Sequence, residues 1–135
     1  MTDECIFCKI VKGEIPCNKI GENDDFLCFL DISPISVGHA LIVPKQHFTN
    51  LLDFPVGLDL SFFSFAKEMA GKIVKAVGAD GFNLGMNNGR AAGQIVFHQH
   101  THLIPRFDDD GLSSWPHADA SAKELEKTRE KILKA

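Results

Sequence analysis

The chain has 135 residues, 44% of them hydrophobic and 24% charged, enough for one globular domain with its own core and too few for two. Its 14 basic and 18 acidic residues give a formal net charge of −4 without a basic stripe, which argues against tracking a nucleic-acid backbone. No apolar run is long enough to span a membrane and Met1–Ile10 is polar rather than leader-like, so the expectation is a soluble, cytoplasmic protein.

Ile6 to Val11 is a short apolar run closed by Lys12-Gly13, and the Ile15-Pro16 junction disfavours helix, so a brief N-terminal helix followed by extended chain is predicted. Strand-like runs follow at Lys19–Gly21, Phe26–Leu30 and Ala40–Val43, separated by turn material at 21–25, Ser33-Pro34 and Gly38, as in an antiparallel meander. Phe62, Ala66, Met69, Ile73 and Val77 recur at four, three, four and four, which predicts an amphipathic helix over 58–77 packed on a sheet and ended by Asp80-Gly81. A strand at Phe82–Met86, a glycine-containing loop at Asn87–Gly93 and a long strand at Ile95–Ile104 come next, with Pro105 after it. Ser121–Lys134 is rich in Ala, Glu, Lys and Leu and reads as a surface helix. Strands outnumber helices and are sequential, so the predicted class is α+β, with a core at about residues 5–115 and a helical tail at 118–135.

Three of the six histidines fall in His98-Gln99-His100-Thr101-His102. On a strand these imidazoles share one face and Gln99, Thr101 and Leu103 take the other. All three cannot ligate one ion, because the outer two are about 13 Å apart on a straight strand, at about 3.3 Å per residue. An imidazole, with a reference pKa of about 6.5, can attack in one protonation state and donate to a phosphate oxygen in the other. A row of them therefore suits phosphoryl or nucleotidyl transfer through a covalent phospho-histidine. No Walker-type glycine-rich loop is present. Cys5 and Cys8 are spaced C-x-x-C, which without an export signal reads as a metal-binding or a redox pair, while Cys17 and Cys28 read as buried thiols.

His98 to Ile104 resembles the histidine triad (HIT) motif, His-x-His-x-His followed by two apolar residues, flanked here by Gly93-Gln94 and Pro105-Arg106. Asp31-Ile32-Ser33-Pro34, Gly38–Lys45 and Cys5–Ile10 are similar to HIT sequence blocks in the same order. Gln99 and Thr101 are more polar than usual for the family, and the segment after His117 has no counterpart in it. The resemblance implies a HIT-like fold of about five mostly antiparallel strands with one long helix, a short N-terminal helix and a C-terminal helix, pairing as a homodimer. It implies hydrolysis or transfer at the α-phosphate of a purine nucleotide, with a phosphoramidate or a dinucleoside polyphosphate as substrate. His100 is then the nucleophile, and His102 holds or protonates phosphate oxygens. His39 is the additional histidine near the triad, and His98 either relays protons or binds metal. Asn87 contacts phosphate, Gln94 sits at the leaving group, and Asp31 accepts from the ribose hydroxyls. Ile6, Phe7, Ile10, Phe29 and Ile32 wall the base, although hydrophobicity alone reads them as core. Related dimers send the segment near Trp115 toward the neighbouring site. HIT proteins with a C-x-x-C opening imply a structural zinc ion held by Cys5, Cys8, His47 and His98. Two other functions stay open at this level: a nucleotide-sensing dimer without turnover, and nucleotidyl transfer to a second substrate.

Overall fold

The structure, a computed structural model, describes residues 4–135. Met1–Asp3, the start of the polar N-terminal stretch, lie outside the described residues. Five strands form one sheet: β1 (Lys19–Glu22), β2 (Phe26–Leu30), β3 (Ala40–Pro44), β4 (Gly81–Gly85) and β5 (Thr101–Arg106). Their spatial order is β1-β2-β3-β5-β4 and every adjacent pair is antiparallel. The helices are α1 (Ile6–Val11), α2 (Asp59–Val77) and α3 (Ala122–Leu133), so the α+β class and the three helices are as the sequence implied. Among the described residues, no helix is long and apolar enough to cross a membrane.

The sheet has two apolar faces because successive strand residues alternate sides. Phe26, Cys28, Ala40, Ile42 and Leu103 meet Phe62, Phe65, Ala66, Met69, Ala70 and Ile73 of α2. Leu27, Phe29, Leu41 and Val43 pack on the opposite face with Phe7 of α1. Phe26 is fully buried and ringed by Phe54, Phe62 and Phe65, a position where truncation to alanine costs about 3–5 kcal/mol. The sheet is thus sandwiched between α2 and α1.

α2 ends two residues earlier than Asp80-Gly81, at Gly78, which adopts φ 66° and donates its backbone N–H to the Val74 carbonyl. A second glycine is required just before β3. Gly38 has φ +87°, and a Cβ there would lie 3.0 Å from Val77, 3.2 Å from Ile73 and 3.2 Å from Pro105. Only glycine brings the chain this close to α2 and β5 before delivering His39 to the sheet. Three short 3-10 turns form at Leu51–Asp53, Val56–Leu58 and Arg90–Ala92; the second takes up Leu58, where the long helix was expected to begin, so α2 starts at Asp59.

Candidate functional site

The long histidine strand needs correction. β5 begins at Thr101, so His102 alone of the three lies on it, and Pro105 is inside the strand rather than after it. The ladder with β3 ends at Ile42–Thr101 because its continuation would pair Pro44 with Gln99. Pro44 has no N–H to give, and the Gln99 N–H is taken instead by the Phe48 carbonyl at 2.6 Å. Pro105 is tolerated because its backbone faces the side where β3 has already ended; its carbonyl accepts from the Ser36 hydroxyl at 2.6 Å.

The imidazoles still gather on one side. The His100 and His102 ring centroids are 5.1 Å apart, and the Phe7 ring packs edge-on to His100 at 5.0 Å and His98 at 5.9 Å. Gln99 and Thr101 are buried away from them and bonded to each other at 3.2 Å.

Backbone partners determine where each proton sits. The Ile35 N–H can only donate, so His39 Nδ1, 3.0 Å away, accepts. His39 Nε2 then carries the hydrogen and donates to His102 Nδ1 at 2.9 Å, with the Asp31 carboxylate 3.6 Å from the same nitrogen. His102 is left with an Nε2–H to offer. His100 Nδ1 lies 2.8 Å from the His98 carbonyl and must donate, which leaves its Nε2 as a lone pair. His98 Nε2 donates to the Pro44 carbonyl at 2.8 Å, leaving Nδ1 as its lone pair. Burial lowers the pKa of His39 and His100, in each case against an opposing pull from Asp31. His102 falls to about 4 through burial, then the nearby His100 and His39. Neutral rings are the form in which these assignments hold.

Two cavities flank this row. One of about 500 Å³ is lined by Ile6, Phe7, Ile10, Phe29, Asp31 and Ile32, and it reaches Asn87, His100 and His102. The other, about 620 Å³, is lined by Asn83, Arg106, Ser113, Ser114 and Trp115, and it also reaches Asn87 and His102. Asn87 and His102 therefore sit where the two cavities adjoin, while His100 faces only the smaller one. The Asp31 carboxylate is fixed by the Ser33 N–H at 2.8 Å. Gln94 lines neither cavity. Its side chain is buried and bonded to the Gly89 N–H and the Thr49 and Val96 carbonyls, so it braces the 87–93 loop from behind. Sequence reasoning missed Ile15, Pro16 and Cys17 in the smaller cavity and Asn83 in the larger. The Ile15-Pro16 break from helix was the only signal for the first group.

Behind the site, the side-chain donor atoms of Cys5, Cys8, His47 and His98 all lie within 4.8 Å of one another. Cys5 Sγ and Cys8 Sγ are 3.4 and 3.5 Å from His98 Nδ1, Cys8 Sγ is 3.3 Å from His47 Nδ1, and the two Nδ1 atoms are 3.1 Å apart. Tetrahedral zinc, with bonds of about 2.3 Å to sulfur and about 2.0 Å to nitrogen, sets ligand separations of about 3.3–3.8 Å. The cluster has the donors and nearly the dimensions of a Cys₂His₂ zinc site, and the His98 lone pair faces into it.

The HIT domain family model matches residues 12–109. The chain is 47% identical over 112 residues to the adenylylsulfatase HINT3 of Arabidopsis thaliana, covering 83% of this chain and 57% of that one. It is 42% identical over 130 residues to the adenosine 5′-monophosphoramidase hnt1 of Schizosaccharomyces pombe, covering 95% of each. Among solved structures, SMU.412c from Streptococcus mutans UA159 superposes with a TM-score of 0.92 at 39% identity, covering 99% of this chain and 86% of that one. A zinc-bound histidine triad protein from Mycobacterium smegmatis superposes with a TM-score of 0.77 at 35% identity, covering 97% and 96%. On its sequence, its fold and its cluster of imidazoles, this chain belongs to the HIT family.

Proposed function

We propose that the protein is a hydrolase acting at the α-phosphate of purine nucleotides, either nucleoside phosphoramidates or dinucleoside polyphosphates, through a nucleotidyl-histidine. The observation that carries this reading is the fixed tautomer of His100. With Nδ1–H held by the His98 carbonyl, the Nε2 lone pair is available in the cavity that Asp31 and the apolar walls equip for a nucleoside.

In the first step Nε2 of His100 attacks the α-phosphorus. A P–N bond to the ring forms and the bond to the leaving group breaks. The Nε2–H of His102, oriented by His39, donates a hydrogen bond to a phosphate oxygen and so stabilises the developing charge, and the departing group takes its proton from solvent water. In the second step water attacks the same phosphorus and releases a proton to solvent, the P–N bond to the ring breaks, nucleoside monophosphate departs and His100 regains its Nε2 lone pair. The smaller cavity takes the nucleoside, with Asp31 accepting from the ribose and Ile6, Phe7, Ile10, Phe29 and Ile32 against the base. The larger takes the leaving group, and Asn87 and His102 bracket the phosphate between them. Gln94 acts behind the loop rather than on the leaving group.

The cluster behind the site suits a structural zinc ion held by Cys5, Cys8, His47 and His98. Such an ion would tie α1 to the segment before β5 and restrain His98, whose carbonyl holds the nucleophile. A ligand role withdraws His98 from proton relay and leaves His102 as the donor. Four free cysteines suit a reducing cytoplasm. The exposed edge of β4, where Phe82 and Leu84 are 47% and 40% accessible, suits pairing with a second copy as a homodimer. The body of the chain, at about residues 5–115, acts as a single domain carrying a C-terminal helical tail.

The test is a leaving-group survey. Purified protein is mixed with adenosine 5′-phosphoramidate and with diadenosine tetraphosphate, and AMP release is followed. Release from either supports the reading; tight nucleotide binding without release from both refutes it in favour of a sensor.

A further inference from the structure

Among the described residues, Arg106 is the only cationic side chain lining the larger cavity, whose walls are otherwise mostly apolar, with Ile35, Leu84, Ile104, Leu112 and Trp115. A guanidinium presents a planar fork of N–H donors suited to phosphate oxygens. Here the protein itself takes nearly the whole fork. Nε donates to Asp110 Oδ2 at 2.8 Å, Nη2 to Asp110 Oδ1 at 3.2 Å and to the Leu112 carbonyl at 3.1 Å, and Nη1 to Asn83 Oδ1 at 2.8 Å.

Asp110 stands behind the cavity rather than in it, with a side chain 13% exposed against 29% for Arg106. Its carboxylate also accepts from the Phe107 N–H at 3.0 Å and the Leu112 N–H at 2.9 Å. Arg106, and then these N–H groups, hold the Asp110 carboxyl far below its ordinary range, so it stays charged wherever the protein is folded. The turn that carries it is pinned in place: the Asp110 N–H donates to the Phe107 carbonyl at 3.1 Å and the Asp108 N–H to Asp80 Oδ2 at 2.9 Å. Arg106 therefore reaches the cavity wall with its charge matched and its donors committed. Asp108 and Asp109, on the same turn, are exposed and screened by solvent.

We infer that Asp110 is a specificity-determining residue: by holding and neutralising Arg106 it withholds that guanidinium from a polyphosphate leaving group. This rests on the hydrolase reading above, in which the larger cavity takes the leaving group, and it supplies a residue-level reason for choosing between the two substrate classes. Attack at the α-phosphorus of diadenosine tetraphosphate expels ATP, a polyanion that must trade its water for cations or donors on entering an apolar cleft. A phosphoramidate expels an amine, which asks for neither. Asp110 acts through Arg106 and is a positioning residue.

The test measures kcat and KM of the full-length protein for adenosine 5′-phosphoramidate and diadenosine tetraphosphate, in the parent, in Asp110→Asn and in Asp110→Asn with Arg106→Gln. Asp110→Asn keeps a carbonyl oxygen for the neighbouring N–H groups and leaves Arg106 charged. It raises the tetraphosphate-to-phosphoramidate ratio of kcat/KM by about tenfold, the scale of one part-exposed charge acting on a polyanion. The gain lies chiefly in KM for the tetraphosphate, and added salt erases it. Adding Arg106→Gln returns the ratio to within about twofold of the parent's. A residue that only braced the turn would lower turnover of both substrates together, with no reversal by the second change. An unchanged ratio in Asp110→Asn, or a raised one that survives Arg106→Gln, overturns the proposal and leaves the hydrolase standing. The parent alone gives a second reading that needs no variant to fold: its kcat/KM for the tetraphosphate falls with salt no more steeply than that for the phosphoramidate. A steeper fall means that an uncommitted cation already meets the leaving group, and it too overturns the proposal. No AMP from either substrate overturns both readings.

Discussion

Gly38→Ala tests how the fold delivers His39 to the site. The new Cβ would sit 3.0 Å from Val77 Cγ1, 3.2 Å from Ile73 Cγ2 and 3.2 Å from Pro105 Cγ, on a backbone at φ +87°. A left-handed conformation costs an L-residue about 1–2 kcal/mol, and forcing a methyl into a packed core costs about 1–3 kcal/mol. Two of these three neighbours cannot yield easily, since Ile73 is buried in the α2 core and Pro105 is fixed in β5. The expected loss is about 3 kcal/mol, equivalent to a fall of about 10 °C in Tm for a chain of this size. Gly21→Ala is the control. Its Cβ would meet Met69 Sδ at 2.7 Å and Cε at 2.9 Å, but those atoms end a flexible side chain and φ is not positive, so the cost is below about 1 kcal/mol. Urea melts of both variants, with nucleotide hydrolysis measured alongside, decide it. A Gly38→Ala protein as stable as the parent, or one less destabilised than Gly21→Ala, would refute the packing argument.

Three further outcomes follow from the site. Purified protein holds about one zinc per chain, and Cys8→Ser releases it with a fall in Tm of about 10 °C or more; metal analysis after growth in zinc that finds none in the parent removes the site. His102 holds a pKa of about 4 against its ordinary 6.5, so between these values the unfolded chain binds more protons than the folded one. Its contribution to stability is complete above about pH 6.5 and is lost as pH falls toward 4, by about 1–2 kcal/mol once solvent screening of a half-buried ring is allowed for. His102→Phe flattens that slope in denaturant melts, and an unchanged slope counts against the assignment. Asp31→Asn raises KM for ribonucleotides more than for their 2′-deoxy counterparts; equal increases would remove Asp31 from the ribose.

The parts of the fold that the sequence made legible are those with a local period. The four- and three-residue recurrence of Phe62, Ala66, Met69, Ile73 and Val77 marks α2, and each strand core was visible as a short apolar run. The start of β5 was not legible, because it depends on Pro44, distant in sequence, being unable to pair with Gln99. Alternation alone extended that strand backward over His98 and His100. The imidazoles share a side nonetheless, held by Phe7 and by backbone carbonyls rather than by a pleat. Tautomers were out of reach for the same reason, since the one at His102 is set through His39 by the N–H of Ile35. The junction of two cavities at Asn87 and His102 is likewise a product of tertiary packing. Cys5 and Cys8 announced a possible metal site by spacing, but only the fold brings His47 and His98 to them.

The proposed turnover depends on one bond between His100 and phosphorus. Incubation with adenosine 5′-phosphoramidate, an alkaline quench that preserves phosphorus–nitrogen bonds, and peptide mass spectrometry would find AMP on His100, lost on acid treatment and absent from His100→Ala. AMP release at the parent rate by His100→Ala, or an adenylate on any other residue, would contradict it.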